Sequence, residues 1–285
     1  MKLSFKRIRV NLNIIMLTGF CDMTERKLYI LITIVITLCL LSSCATSRSG
    51  TDTTMPEADP AVIQKTIADA EELFKQRVND PAKLREAVKL LSDARNPDHR
   101  NFDIEWRFAK LNFFLGKEST SENESEAAFE KGRDAGKIAS RIAPDRPDGY
   151  FWYGANLGEL ARASPVTVGL KSMDDIRDAM NKVIELQPDY QNASAYDGLA
   201  QLELASRLYG GSAEKAAKLL ETALEIEKDN ANIRLHLAQA YLALKRPADA
   251  RKQIDMLLQI KPDPMYIPEH NQCVAEAKKM LETRF

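Results

Sequence analysis

The clearest pattern of apolar and polar positions lies in the last third of the chain. One segment reads EKAAKLLETALEIEKDN (Glu214 to Asn230) and another reads ADARKQIDMLLQIKPDP (Ala248 to Pro264). Aligning Ala216 with Ala250 places Leu220 on Ile254, Ala223 on Leu257, Lys228 on Pro262 and Asp229 on Asp263, each at an offset of 34 residues. That spacing is the period of tetratricopeptide (TPR) repeats, which are helix–turn–helix units. The preceding helices agree: in NIRLHLAQAYLAL, Leu237, Ala238 and Tyr241 supply the large, small and aromatic residues such a unit uses, with Arg234 where an aromatic is usual. Tyr196, Leu199 and Ala200 take those places one unit earlier. Small residues let two antiparallel helices approach closely. Each hairpin then leaves an apolar face that only the next can cover, so the units stack into a superhelix.

Earlier units are more degenerate. IRDAMNKVIELQPD (Ile176 to Asp189) and GRDAGKIASRIAPD (Gly132 to Asp145) repeat the second helix and its Pro-Asp ending, with Gly132 and Ala139 at the small positions. Pro144, Pro188 and Pro262 stop helices, because the residue before proline is pushed out of the α region. Pro144 and Pro188 stand 44 residues apart, which implies an insertion, placed at Ser164 to Lys171. A first hairpin combines Ala61–Arg77 with Pro81–Ala94, with Asp80 as cap. Ser172 and Asp175 form a capping-box pattern before Ile176. Ser212, after Gly210 and Gly211, caps the helix that follows, and a closing helix comes after Pro268. The expectation is an all-α, TPR-like domain over residues 61–285. It has about four and a half hairpins in a right-handed superhelix and no strand.

The N-terminus carries a different pattern. Leu28 to Leu41 is a run of fourteen uncharged, mostly apolar residues, preceded by Arg26 and Lys27. A membrane span needs about 20 apolar residues, so the run is short for a span and right for a signal peptide. It ends in Leu41-Ser42-Ser43-Cys44, which resembles the lipobox of bacterial lipoproteins. The resemblance implies residues 1–44 as signal peptide, with an alternative start at Met23, and lipidation of Cys44. Ala45 in place of aspartate then favours the outer membrane and a periplasmic domain. The Ser-, Thr- and Pro-rich stretch 45–60 reads as a flexible tether.

Composition narrows the function. With 45% hydrophobic residues the chain is not disordered, and a net charge of −1 gives no basic field for nucleic acid. Beyond Cys44 only Cys273 remains, so neither a disulfide framework nor a cysteine zinc site is expected. His99, His236 and His270 have no ligand-like spacing, and no nucleophile elbow, HExxH, phosphate loop or dinucleotide-binding glycine pattern occurs. The sequence therefore points to a binding protein without metal or cofactor rather than an enzyme, with an envelope hydrolase as the remote alternative. The carboxylate run Ser121 to Glu126 reads as a loop or helix start.

Binding residues are sought on the inner helix face. In the aromatic run Tyr150 to Tyr153 not every ring can face one side of a helix. Trp152 and Asn156, one turn apart, are the preferred groove pair, joined by Gln201, His236 and Gln239 on later inner helices.

The segments GYFWYGANLGEL (Gly149 to Leu160), Gly210-Gly211-Ser212 with EKAAKLLETALEI, LHLAQAYLALKRPADARKQI and PDPMYIPEHNQCVAEAKKML together resemble the T component of TRAP transporters. The resemblance spans roughly residues 145–285. It implies a periplasmic TPR lipoprotein that docks a TRAP substrate-binding subunit and handles a hydrophobic ligand. A homo-oligomer is a separate expectation. The competing expectation is a general envelope scaffold that grips a peptide or an assembly partner. The five candidate groove residues are of mixed character and do not choose between an apolar and a polar ligand.

Overall fold

A computed structural model describes residues 55–285, so the signal-peptide reading, Cys44 and most of the tether fall outside the described residues. Among the described residues eleven α-helices follow one another: α1 Pro60–Gln76, α2 Ala82–Ala94, α3 Phe102–Glu118, α4 Glu122–Ile142, α5 Pro147–Ala163, α6 Leu170–Leu186, α7 Tyr190–Ala205, α8 Ala213–Ile226, α9 Ala231–Ala243, α10 Pro247–Leu257 and α11 Ile267–Arg284. Among the described residues there is no strand.

Side-chain caps fix several of the helix starts. Asp80 accepts from the Ala82 amide at 3.0 Å, and Asn101 accepts from the Asp103 and Ile104 amides at 2.9 and 3.2 Å. Ser121, Ser212 and Asn230 do the same for α4, α8 and α9. Each satisfies an amide that the first helical turn leaves without a partner. Gly210 sits at φ 99°, which lets the chain turn sharply into the Ser212 cap. Gln191, Asn192 and Ala193 all have positive φ, so right-handed helix in α7 begins only after them.

Five antiparallel hairpins, α1/α2 to α9/α10, are closed by α11, in agreement with an all-α TPR-like repeat. The odd-numbered helices touch one another in series from α1 to α11, while the even-numbered helices pack mainly against their odd-numbered neighbours. The odd layer is therefore the tighter, inner side of the curve. One apolar cluster packs Phe74, Leu84, Leu91, Phe108, Phe114, Trp152 and Val183. A second packs Leu220, Ile233, Leu237, Ile254 and Leu257.

The hairpin missing from the sequence reading is completed by α3. That helix buries Ile104, Phe108, Ala109, Leu111 and Phe114 while Trp106, Phe113 and Leu115 are half-buried, so apolar residues surround it and no one-sided stripe appears. The insertion after α5 is itself helical, a π-turn at Pro165–Gly169 running into an early start of α6. Ser172 is consequently a buried residue inside α6 rather than a cap, and Asp175 instead accepts a 2.9 Å hydrogen bond from the Tyr153 hydroxyl.

Arg77 ties the two ends of the superhelix together. Its side chain is wholly buried, with Nε donating to Glu118 Oε1 at 3.0 Å and Nη2 to Glu269 Oε1 at 2.7 Å. Nη1 donates to the carbonyls of Phe74 at 3.2 Å and Met265 at 3.0 Å. The guanidinium lies 3.9 Å from the Phe74 ring centre, 4.9 Å from Phe114 and 5.8 Å from Tyr266. The short segment before α11 is thereby seated on α1 and α3.

The tightest helix crossing is between α4 and α5. A Cβ added to Gly136 would lie 2.5 Å from the Tyr153 amide nitrogen, and one on Gly149 would strike the Ser140 backbone. Gly158, on the same helix as Gly149, has open space beside it. Gly136→Ala or Gly149→Ala is therefore expected to cost about 1–3 kcal/mol by forcing backbone apart. Gly158→Ala is expected to be neutral or to stabilise by up to about 1 kcal/mol through helix propensity alone. Urea unfolding of the three variants checks this pattern.

Candidate site on the inner helix face

Asp197 and Gln201 are one turn apart on α7, so they share a face. Gln201 Nε2 donates to Asp197 Oδ2 at 3.0 Å, and His236 Nδ1 of α9 lies 2.6 Å from Asp197 Oδ1. One turn along α9, Gln239 Nε2 donates to Glu276 Oε1 of α11 at 2.8 Å. On the earlier odd helices, Lys117 of α3 donates to Glu159 of α5 at 3.0 Å. The inner face therefore carries a row of polar pairs that bridge successive odd helices.

The electrostatics follow from that geometry. Burial alone would lower the His236 pKa, but the carboxylate of Asp197, its hydrogen bond and the charge of Glu276 outweigh burial and the opposing Lys117, so the pKa is raised. Cys273 is buried beside this row, and burial with the nearby carboxylates pushes its thiol up to about 12. At neutral pH it is an inert thiol rather than a nucleophile. Among the described residues no group of three His, Cys, Asp or Glu side chains is placed to hold a metal ion. What the row offers chemically is hydrogen bonding, through the amide oxygens of Gln201 and Gln239 and the second ring nitrogen of His236.

The five candidate residues separate into two groups. Gln201 is exposed, and His236 and Gln239 are half-buried on the row just described. Trp152 and Asn156 lie in the core instead. Trp152 is 3% exposed and packs against Phe113, Phe114 and Phe151 with ring centres 5.6, 6.0 and 4.9 Å away. The Asn156 amide donates to the carbonyls of Ala109 at 3.2 Å and Trp152 at 2.7 Å, and so links α5 to α3. The reason is that α5 packs against α3, α4, α6 and α7 together, which uses up its ring faces. Sequence reading missed Asp197, Glu276, Lys117 and Glu159. Asp197 had a usable signal, since it stands one turn before Gln201 on the same face. His99 is exposed, and His270 is half-buried on α11.

Comparison with known proteins places this frame. A family model described as RMD1-3, regulator of microtubule dynamics protein 1-3, matches residues 66–284. The chain belongs to this family. Among solved structures, the TPR protein TTC0263 of Thermus thermophilus is 20% identical with a TM-score of 0.55, over 76% of this chain and 98% of that one. MamA is 13% identical with a TM-score of 0.44, over 78% of this chain and 97% of that one. Pseudomonas aeruginosa PilF is 14% identical with a TM-score of 0.47, over 78% of this chain and 89% of that one. The first supports a TPR fold and no more. No curated protein matches the chain.

The family match overturns the resemblance to TRAP T components, and with it the docking of a TRAP subunit. The quoted segments carry the small-and-large register of stacked hairpins. Any TPR array needs that register, so it does not discriminate among TPR families.

Because the folded-state pKa of His236 is raised, its contact with Asp197 stabilises fully below the unfolded value and fades as pH rises through the folded one. The stability difference between the parent protein and His236→Gln is expected to be largest near pH 5.5, on the order of 1 kcal/mol, and to shrink by pH 8.5. Thermal melts of both proteins at the two pH values measure it.

Proposed function

We propose that the chain is a helical-repeat scaffold that holds an extended segment of a protein partner along its inner face. The observation that carries this reading is the row Asp197, Gln201, His236, Gln239 and Glu276. These polar side chains are paired to one another yet keep spare acceptors and donors along three successive inner helices. An extended backbone presents regularly spaced N–H and C=O groups, and side-chain amides match both. The family description names its members as regulators of microtubule dynamics, and the all-α repeat frame is consistent with a binding role.

The reading includes a tether. The apolar run ending in Leu41-Ser42-Ser43-Cys44 supports lipidation of Cys44 and attachment of the helical domain to the outer membrane, facing the periplasm. Sixteen residues of Ser-, Thr- and Pro-rich chain, from 45 to 60, would then hold the domain off the bilayer by roughly 20 Å.

The test is photo-crosslinking of the full chain in living cells, with the photoreactive residue at Gln201 or Gln239 and, as controls, at Lys89 or Asp93, both exposed on the even-numbered helix α2. A discrete adduct from the two inner positions, absent from the controls, is expected. Adducts of equal strength from all four positions contradict an inner-face site. Labelled palmitate should enter the parent chain and not Cys44→Ser, and incorporation into neither removes the anchor from the reading.

A further inference from the structure

We propose that a pocket beside the last hairpin, α9/α10, binds organic monocarboxylates with an apolar body, with the Arg234 guanidinium as anchor for the carboxylate. Arg77 and Arg234 are the two buried arginines among the described residues. Arg77 meets two carboxylates. The partners of Arg234 are all uncharged: Nη1 donates to Gln253 Oε1 at 2.9 Å and to the Met256 sulfur at 3.5 Å, and Nη2 donates to the Lys228 carbonyl. Nε is buried and donates to nothing. A guanidinium taken out of water without an anion is incompletely satisfied, and a thioether is a weak acceptor for it. In the repeat register Arg234 takes a position that is usually aromatic, so the fold itself does not require a charge there.

The room for an anion lies beside it. Where the α8–α9 turn meets the end of α10, Asp229, Arg234, Met256, Gln259, Ile260 and Lys261 line an open pocket of about 450 Å³. That volume falls in the range of small-molecule sites. Arg234 and His236 stand two residues apart on α9 and so do not share a face, which separates this pocket from the polar row.

The lining sets the charge and the body of the ligand. Arg234 and Lys261 bring two positive charges and Asp229 one negative charge, so a single ligand charge completes the balance. A dianion would bring a second charge against Asp229. Met256 and Ile260 offer apolar surface to an alkyl group, and Gln259 adds an amide. The Met256 contact is the one that gives way: this side chain is 40% exposed and flexible, and a carboxylate oxygen is a far stronger acceptor for Nη1 than its sulfur. A free short-chain acid and the last residue of a peptide with an apolar terminal side chain present the same group.

The test is amide NMR of the deuterated full chain, titrated at neutral pH and constant ionic strength with isovalerate, N-acetyl-leucine, isovaleramide and sulfate. Isovalerate is expected to shift the amides of residues 228–234 and 256–261 saturably, with a Kd on the order of 10 mM. Isovaleramide, which lacks the charge, and sulfate, which carries two, should leave them in place. Tighter binding of N-acetyl-leucine than of isovalerate assigns the site to a peptide terminus, and equal or weaker binding assigns it to a free acid. Arg234→Met should abolish the response. Should that variant fail to fold by circular dichroism, two substitutions at exposed positions decide: Lys261→Gln should weaken isovalerate about threefold, and Asp229→Asn should tighten it by about the same factor. Shifts that never saturate, an equal response to isovaleramide, or weaker binding in Asp229→Asn overturns the proposal.

Discussion

The constraint on which the rest depends is the burial of one guanidinium between the two ends of a curved helical array. Arg77 is wholly enclosed, and it makes four hydrogen bonds to groups on α1, α3 and the segment entering α11. A charge taken out of water is tolerated only where such partners meet it. Those partners come together only when the superhelix has curved far enough to bring residue 269 beside residue 77. A solenoid otherwise holds itself together by neighbour-to-neighbour contacts alone. Here a contact between sequence-distant units fixes the curvature. It thereby fixes the spacing of the odd-numbered helices whose inner faces carry the candidate site.

That spacing gives the polar row its form. Asp197 accepts from Gln201 on its own helix and meets His236 on the next, while Gln239 reaches Glu276 on the one after. Each helix contributes one or two polar positions to a face that is otherwise used for packing. A row of paired amides and carboxylates suits recognition, since no thiol or hydroxyl in it is activated, and the neighbouring Cys273 is held as a thiol by burial. Trp152 and Asn156, expected to face the groove, are spent instead on holding α5 against α3.

How much of this was legible depends on how local each feature is. The repeat was readable because close helix approach demands small residues at fixed places, and Ala216 and Ala250 are both fully buried at such places. Gln201, His236 and Gln239 followed from the same register, which assigns residues to a helix face. The aromatic run Tyr150 to Tyr153 was not readable in this way, because periodicity names a face without naming what covers it, and α5 is covered on several sides. Helix α3 hid for the same reason, since apolar residues all around it leave no stripe. The Arg77 closure joins residues 192 positions apart, and nothing local marks Arg77 as different from an exposed arginine. Family membership was misjudged because the shared register belongs to TPR arrays in general.

The most direct measurement is hydrogen exchange by mass spectrometry on Arg77→Met, compared with the parent chain. Closure through Arg77 predicts that the end of α1, the Met265–Glu269 segment and the start of α11 lose protection together, while α8 to α10 keep theirs. Loss confined to α1, with the segment around Glu269 still protected, would contradict the claim that this one side chain holds the two ends of the superhelix in register.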